Sequence, residues 1–165
     1  SFNMVSNFYL HDNLSAFNSF RGVFAPDTLP QNIFRDELRT KLEFIIINSE
    51  NLTSGRMGHW LAFSRYREEG RCVLELFDSL AFPCSLLGGN IMRMIAMTHF
   101  DDFKSNQRIL QNITSNYCGL YCIARFLSLL QAVTLEDFLD EFNADKSLND
   151  RVAVMYIRRF KLSNV

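Results

Sequence analysis

A cysteine followed by glycine, Cys118-Gly119, stands where the polar stretch from Gln111 to Tyr117 gives way to the apolar run from Ile123 to Leu130. A nucleophilic thiolate is easiest to make at such a junction. The first turn of a helix presents unpaired backbone N–H groups and the positive end of the helix dipole, and both favour S⁻ over SH. Gly119 has no Cβ, so a substrate backbone can approach the sulfur.

A thiol used for acyl transfer needs three helpers: a base to take its proton, a group that orients the base, and a donor for the oxyanion. His59, Asp78 and Gln111 are the candidates. His59 to Tyr66 and Arg71 to Asp78 read as two strands joined by the loop 67–70, which holds a glycine. Closing that four-residue loop with Tyr66 opposite Arg71 sets His59 opposite Asp78, on one sheet face at the open end of the hairpin. Gln111 lies seven residues before Cys118, on a polar loop able to fold its amide back beside the sulfur. The backbone N–H of Cys118 is the second oxyanion donor.

The same residue types have other uses. A zinc site built from His59 and some of Cys72, Cys84, Cys118 and Cys122 is disfavoured, because structural zinc sites take ligands in close pairs such as CxxC and none occurs. No metal or cofactor is expected. Cys72 and Cys122 read as core residues, Cys118 and Cys122 being spaced to share a helix face, and the chain reads as one of a reducing compartment with free thiols. Triplets at Asn13, Asn51 and Asn112 match the glycosylation pattern but carry no meaning inside a cell. His11 and His99 have no paired partner in the sequence.

These residues need a scaffold. Leu10, Leu14, Phe17 and Phe20 fall at helical spacing, and the segment from Phe24 to Pro30 reads as an irregular connection. Arg35 to Lys41 is a solvated charged segment. The run from Leu42 to Asn48, with Phe44, Ile45, Ile46 and Ile47 in a row, reads as a central strand buried on both faces. Beyond the hairpin, Leu86-Leu87-Gly88-Gly89 is the loop before a helix capped by Asn90 and running to Thr98. Asp101 to Ser105 reads as a polar loop and Arg108 to Leu110 as a short strand. A helix spans Tyr117 to Gln131, and two more begin at the caps Thr134 and Ser147, each with an aspartate three residues on. The pattern is α+β: a central mixed or antiparallel sheet with helices gathered against one side, in a single domain over residues 1–165.

Composition bounds the partners. With 17 basic and 18 acidic side chains the chain has no global pull toward nucleic acid or an anionic membrane. No apolar run reaches the roughly 18 residues of a membrane span, and the order of a signal peptide is missing at the N-terminus. Sixteen phenylalanines forecast a packed interior.

Gly58-His59-Trp60-Leu61-Ala62-Phe63, Leu76-Phe77-Asp78-Ser79, Leu110-Gln111 and Cys118-Gly119-Leu120-Tyr121-Cys122 together resemble the adenovirus-type cysteine proteases, the adenains, most of all those of Maverick/Polinton elements and virophages. Gly22-Val23-Phe24, Leu29-Pro30 and Leu148-Asn149-Asp150-Arg151-Val152 extend the resemblance over most of the chain. It implies a papain-like/adenain-like fold, with His59 as base, Asp78 as orienting acid, Cys118 as nucleophile and Gln111 as oxyanion donor. Asn112-Ile113 follows the glutamine where relatives often have Gly-Pro.

The resemblance further implies a monomeric endopeptidase that cuts viral precursor and capsid proteins in the virion or viral factory. Cleavage falls after Gly-Gly or Gly-x pairs, in a narrow cleft lined by Gly58 and Trp60. An activating peptide is an implied partner. DNA is another, though the near-zero net charge counts against it despite Arg158, Arg159 and Lys161. The alternatives are a protease that removes ubiquitin-like modifiers and a catalytically silent capsid-associated protein. In the modifier proteases the glutamine usually sits six residues before the cysteine and an aspartate directly precedes it, whereas Tyr117 precedes Cys118.

Overall fold

The computed structural model describes residues 6–163, with side chains through residue 160; Lys161 thus lies outside the described side chains. Its centre is a five-stranded mixed sheet in the order β1-β2-β3-β4-β5, formed by Phe20–Phe24, Leu42–Asn48, Trp60–Glu68, Arg71–Phe77 and Asp102–Ser105. The three middle strands are antiparallel, and the outer two pair in parallel with their neighbours. β2 is buried over six of its seven residues, as an uninterrupted β-branched run requires when both faces are covered.

Alternation along the strands divides the core in two. Phe44, Ile46, Trp60, Ala62 and Phe77 face α3 (Cys118–Leu130), α4 (Leu135–Asp140), α5 (Asn149–Ser163) and α1 (Asn7–Leu14). Ile45, Ile47, Leu61, Phe63, Leu74 and Leu76 face the other way, onto Ile91 and Met94 of α2 (Gly89–Met97) and onto Leu29 and Phe34. The helices are therefore not all on one side: α2 covers the second face as the crossover between the parallel strands β4 and β5.

Other expectations are also corrected. The β3–β4 turn has two residues, Glu69 and Gly70, both with positive φ, and the ladder closes with Glu68 opposite Arg71. This is the geometry of a type I′ turn, which a glutamate at its first position does not announce. β1 and β5 replace the expected helix end and polar loop; each is a short edge strand, stabilised by its parallel neighbour more than by its own pattern. Arg108 to Leu110 forms no strand. Gly88 takes the cap of α2, while Asn90 donates to the carbonyl of Pro26. Thr134 does cap α4, accepting from Asp137 N. Ser147 instead donates to Asp145 in a 3₁₀ turn leading into α5.

Two buried ion pairs, neither signalled by sequence pattern, pin the layers. On the α3 face Arg125 makes two bonds to Glu75, at 2.7 and 3.0 Å, with both side chains fully buried. On the α2 face Arg65 grips Glu43 and donates to the carbonyls of Phe34 and His99.

Candidate active site

Cys118 is the first residue of α3, so its N–H and that of Gly119 lack intrahelical acceptors. Its sulfur accepts the backbone N–H of Trp60 at 3.5 Å. The sulfur also acts on His59, whose hold on its proton it strengthens. One turn further on, the Cys122 thiol donates to the Trp60 carbonyl at 3.6 Å, so the backbone of the residue after His59 is held against α3 from both sides.

His59 sits just before β3, its backbone fixed by reciprocal bonds with Ser49: His59 N donates to Ser49 Oγ at 2.9 Å and Ser49 N to His59 O at 2.8 Å. Its Nε2 meets Asp78 Oδ1 at 2.5 Å, which leaves Nδ1 for the sulfur. Asp78 follows β4 and is 4% exposed. Its carboxylate also accepts the backbone N–H groups of Leu80 and Phe82, and buried Asn106 binds its main chain on both sides. The ring of Phe82 stands edge-on to His59, with centroids 6.0 Å apart.

Burial disfavours the imidazolium, but hydrogen bonds to Asp78 and Cys118, with the charges of both, outweigh it and push His59 up to about 9. Near neutral pH the imidazole therefore stays protonated beside the sulfur. Burial pushes the Cys122 thiol well up, and the charges of Cys118 and Asp78 add to this. Cys72 is raised chiefly by burial as well. Neither has the surroundings of a reactive thiol.

The structure thus brings His59, Asp78 and Cys118 together, with His59 bonded to Asp78 and its proton held by both partners. Gln111 is anchored to Ser79, the residue after Asp78. It is 2% exposed, with Oε1 accepting Ser79 Oγ–H at 2.5 Å and Nε2 donating to the Ser115 carbonyl at 2.8 Å. Gly119 is buried behind Cys118 in α3. Gly58 has φ +63, and a Cβ there would fall 1.9 Å from Asn48 Oδ1, so this glycine is required by the fold whatever it does for a substrate. Trp60 lines a cavity of about 270 Å³ with Val23, Phe24, Asn48, Leu52 and Met57. A larger cavity, about 670 Å³, lies at the far end of α3 beside Leu129 and Val133, away from this chemistry. Among the described residues no cluster of three or more His, Cys, Asp or Glu could hold a metal.

Sequence reasoning missed the supports. Ser79 adjoins Asp78 and could have been read as a turn residue, whereas Ser49, Asn106 and Asp150 reach the site only through tertiary folding. Asp150, at the start of α5, accepts Ser115 Oγ–H at 2.9 Å and Tyr121 O–H at 2.8 Å, so it steadies the loop that carries Gln111 toward Cys118.

With this geometry in place, one solved structure is decisive for the fold. The ASFV pS273R protease superposes with a TM-score of 0.65 over 92% of this chain, at 13% sequence identity. The chain has the fold of that protease. Its selenomethionine form gives 0.57 over the same share, at 14% identity. The chain spans 66% of the length of the pS273R protease. AvrA delL154 with IP6 and CoA matches at 0.49 and 16% identity, over 89% of this chain and 53% of that one. No protein-family model and no curated protein matches the sequence.

Proposed function

We propose that the chain is a cysteine endopeptidase of the viral maturation type. The observation that carries this reading is the 2.5 Å bond between Asp78 and His59, whose imidazole is held protonated by Asp78 and by Cys118, the first residue of a helix. The fold shared with a viral protease supports it.

In this reading His59 and Cys118 rest as imidazolium and thiolate. The sulfur attacks a substrate carbonyl, and negative charge gathers on the carbonyl oxygen. The Cys118 N–H and the Gln111 amide stabilise that charge, removal of one such donor typically costing about 10²–10³ in rate. Imidazolium gives its proton to the leaving amine, the C–N bond breaks, and an S-acyl enzyme remains. His59, now neutral, takes a proton from water, whose hydroxide equivalent displaces the thiolate. Asp78 keeps the ring in its tautomer and offsets its charge.

The substrates in this proposal are viral precursor or capsid polypeptides, cut after small residues such as Gly-Gly. The test is brief iodoacetamide treatment near pH 6 with mass-spectrometric readout, in wild type and His59→Ala. Fast alkylation of Cys118 alone, lost in the variant, supports the reading; equal or uniformly slow alkylation of all four cysteines overturns it.

A further inference from the structure

A side-chain amide serves as an oxyanion donor only when its NH₂ end faces the reacting oxygen, and nothing intrinsic to glutamine decides which end that is. Here two bonds of opposite sense decide it. The hydroxyl of Ser79 donates to Gln111 Oε1, and the Ser115 carbonyl accepts from Gln111 Nε2. Turning the amide over would set Oε1 against the Ser115 carbonyl, two acceptors face to face in a buried site.

Ser79 is itself rigid. It is 1% exposed, and its carbonyl accepts the N–H groups of both Leu110 and Gln111, at 2.9 and 3.0 Å. It also follows Asp78 directly in the chain, so the orienting acid and the holder of the amide share one turn. On the far side, Ser115 is fixed by Asp150, which accepts its hydroxyl, while that hydroxyl oxygen receives Tyr117 N–H at 3.2 Å. After one of its two N–H bonds goes to Ser115, Gln111 Nε2 keeps a second N–H for a ligand.

We propose that Ser79 is a positioning residue that fixes the Gln111 amide with its NH₂ end toward the Cys118 loop, so that Ser79 acts on oxyanion stabilisation and not on the thiolate. This rests on the protease reading above and adds a residue to it.

Two reagents separate the roles. Iodoacetamide alkylates by direct displacement at carbon and forms no oxyanion. p-Nitrophenyl acetate acetylates through a tetrahedral oxyanion: the S–C bond forms, the C–O bond to p-nitrophenolate breaks, and p-nitrophenolate leaves with the electron pair. Both rates are read on the Cys118 peptide by mass spectrometry in wild type, Ser79→Ala, Ser79→Thr, Gln111→Ala and the double variant Ser79→Ala/Gln111→Ala.

Acetylation should fall ~10- to 100-fold in Ser79→Ala, while alkylation stays within threefold of wild type. Ser79→Thr, which keeps the hydroxyl, should lose much less. The double variant should be no slower than Gln111→Ala, because a residue acting through another contributes nothing once that one is gone. Equal loss of both reactions, no loss of either, equal losses in the Thr and Ala variants, or additive losses in the double variant would each overturn the assignment. Fast alkylation without acetylation in wild type overturns it while sparing the thiolate pair. Slow alkylation in wild type removes the protease reading beneath it.

Discussion

His59 and Asp78 meet at 2.5 Å across a ladder that sets them two residues out of step. With Glu68 opposite Arg71, the continued register puts residue 80 opposite His59. A slip of two preserves the face on which each side chain emerges, because strand side chains alternate with a period of two. The pair survives as a diagonal contact: Asp78 turns back where β4 ends and the imidazole spans the remaining gap. A slip of one would have put the two groups on opposite faces.

The charge state of His59 sets an alkaline limit. Its value is raised from 6.5 to about 9, against the effect of burial, by Asp78 and Cys118. A group with a raised folded-state value contributes stability fully below 6.5 and loses it as pH rises through about 9. The upper bound of that contribution is about 3 kcal/mol. The thermal midpoint of wild type should therefore fall between pH 6.5 and 9.5 by more than that of His59→Gln. kcat/KM for a peptide substrate should fall with an apparent value near 9, as the general acid for the leaving amine is lost. A midpoint that runs parallel in the two proteins across this interval refutes the assignment.

How much was legible follows from the range of each determinant. The Cys118 helix start, the buried β2 run and the Thr134 cap are local, and each was readable from a few neighbouring residues. The hairpin's existence was local too, but its register depended on Glu69 accepting a left-handed conformation, which its identity does not foretell. β1 and β5 owe their strand form to parallel partners far along the chain. The same distance hid the holders of the site: Asn106 lies 28 residues from Asp78 and Asp150 lies 35 from Ser115. His59, Cys118 and Gln111 were nameable because their types are scarce in this chain, with three histidines, four cysteines and four glutamines, whereas Asp78, one of ten aspartates, stood out only by its place at the end of the hairpin; serine and asparagine have too many ordinary uses to stand out.

Gly58 tests how tightly the loop before His59 is held. A Cβ there would meet Asn48 Oδ1 at 1.9 Å, and Asn48 accepts Glu50 N–H and donates to the Met57 carbonyl. Gly58→Ala should lower stability by about 2 kcal/mol or more, combining a displaced Asn48 with a left-handed alanine. In an Asn48→Gly background the added cost should shrink toward the backbone part of about 1–2 kcal/mol, with only the Glu50 side chain, whose Cγ lies 2.9 Å from that Cβ, left to move aside. Denaturant unfolding of the four proteins measures this, and purely additive changes would remove the clash from the explanation.

Asp150 tests the far support of the Gln111 loop. Its Oδ1 receives the hydroxyls of Ser115 and Tyr121, while burial and Asp150 together raise the Tyr121 phenol far above its usual range. Asp150→Ala should leave two hydroxyls short of an acceptor and cost about 1–3 kcal/mol. Asp150→Asn keeps an acceptor oxygen and should cost clearly less. Equal losses in thermal or denaturant unfolding would show that the hydroxyls find other acceptors.

The Glu75–Arg125 pair gives the strongest stability prediction. Both side chains are fully buried; Glu75 also accepts the Tyr66 hydroxyl at 2.8 Å, and Arg125 reaches Ser128 Oγ and the Val133 carbonyl beneath the ring of Phe138. Removing one charge strands the other without water, so Glu75→Leu or Arg125→Met alone should cost about 3–5 kcal/mol. The double variant Glu75→Leu/Arg125→Met removes both desolvation penalties and should recover most of that loss, though Tyr66, Ser128 and Val133 lose partners. Because Arg125 lies two turns along α3 from Cys118, the single variants should also slow Cys118 alkylation if this anchor sets the placement of the helix. Recovery of stability without recovery of alkylation in the double variant would assign the pair to aligning α3, and recovery of both would assign it to stability alone.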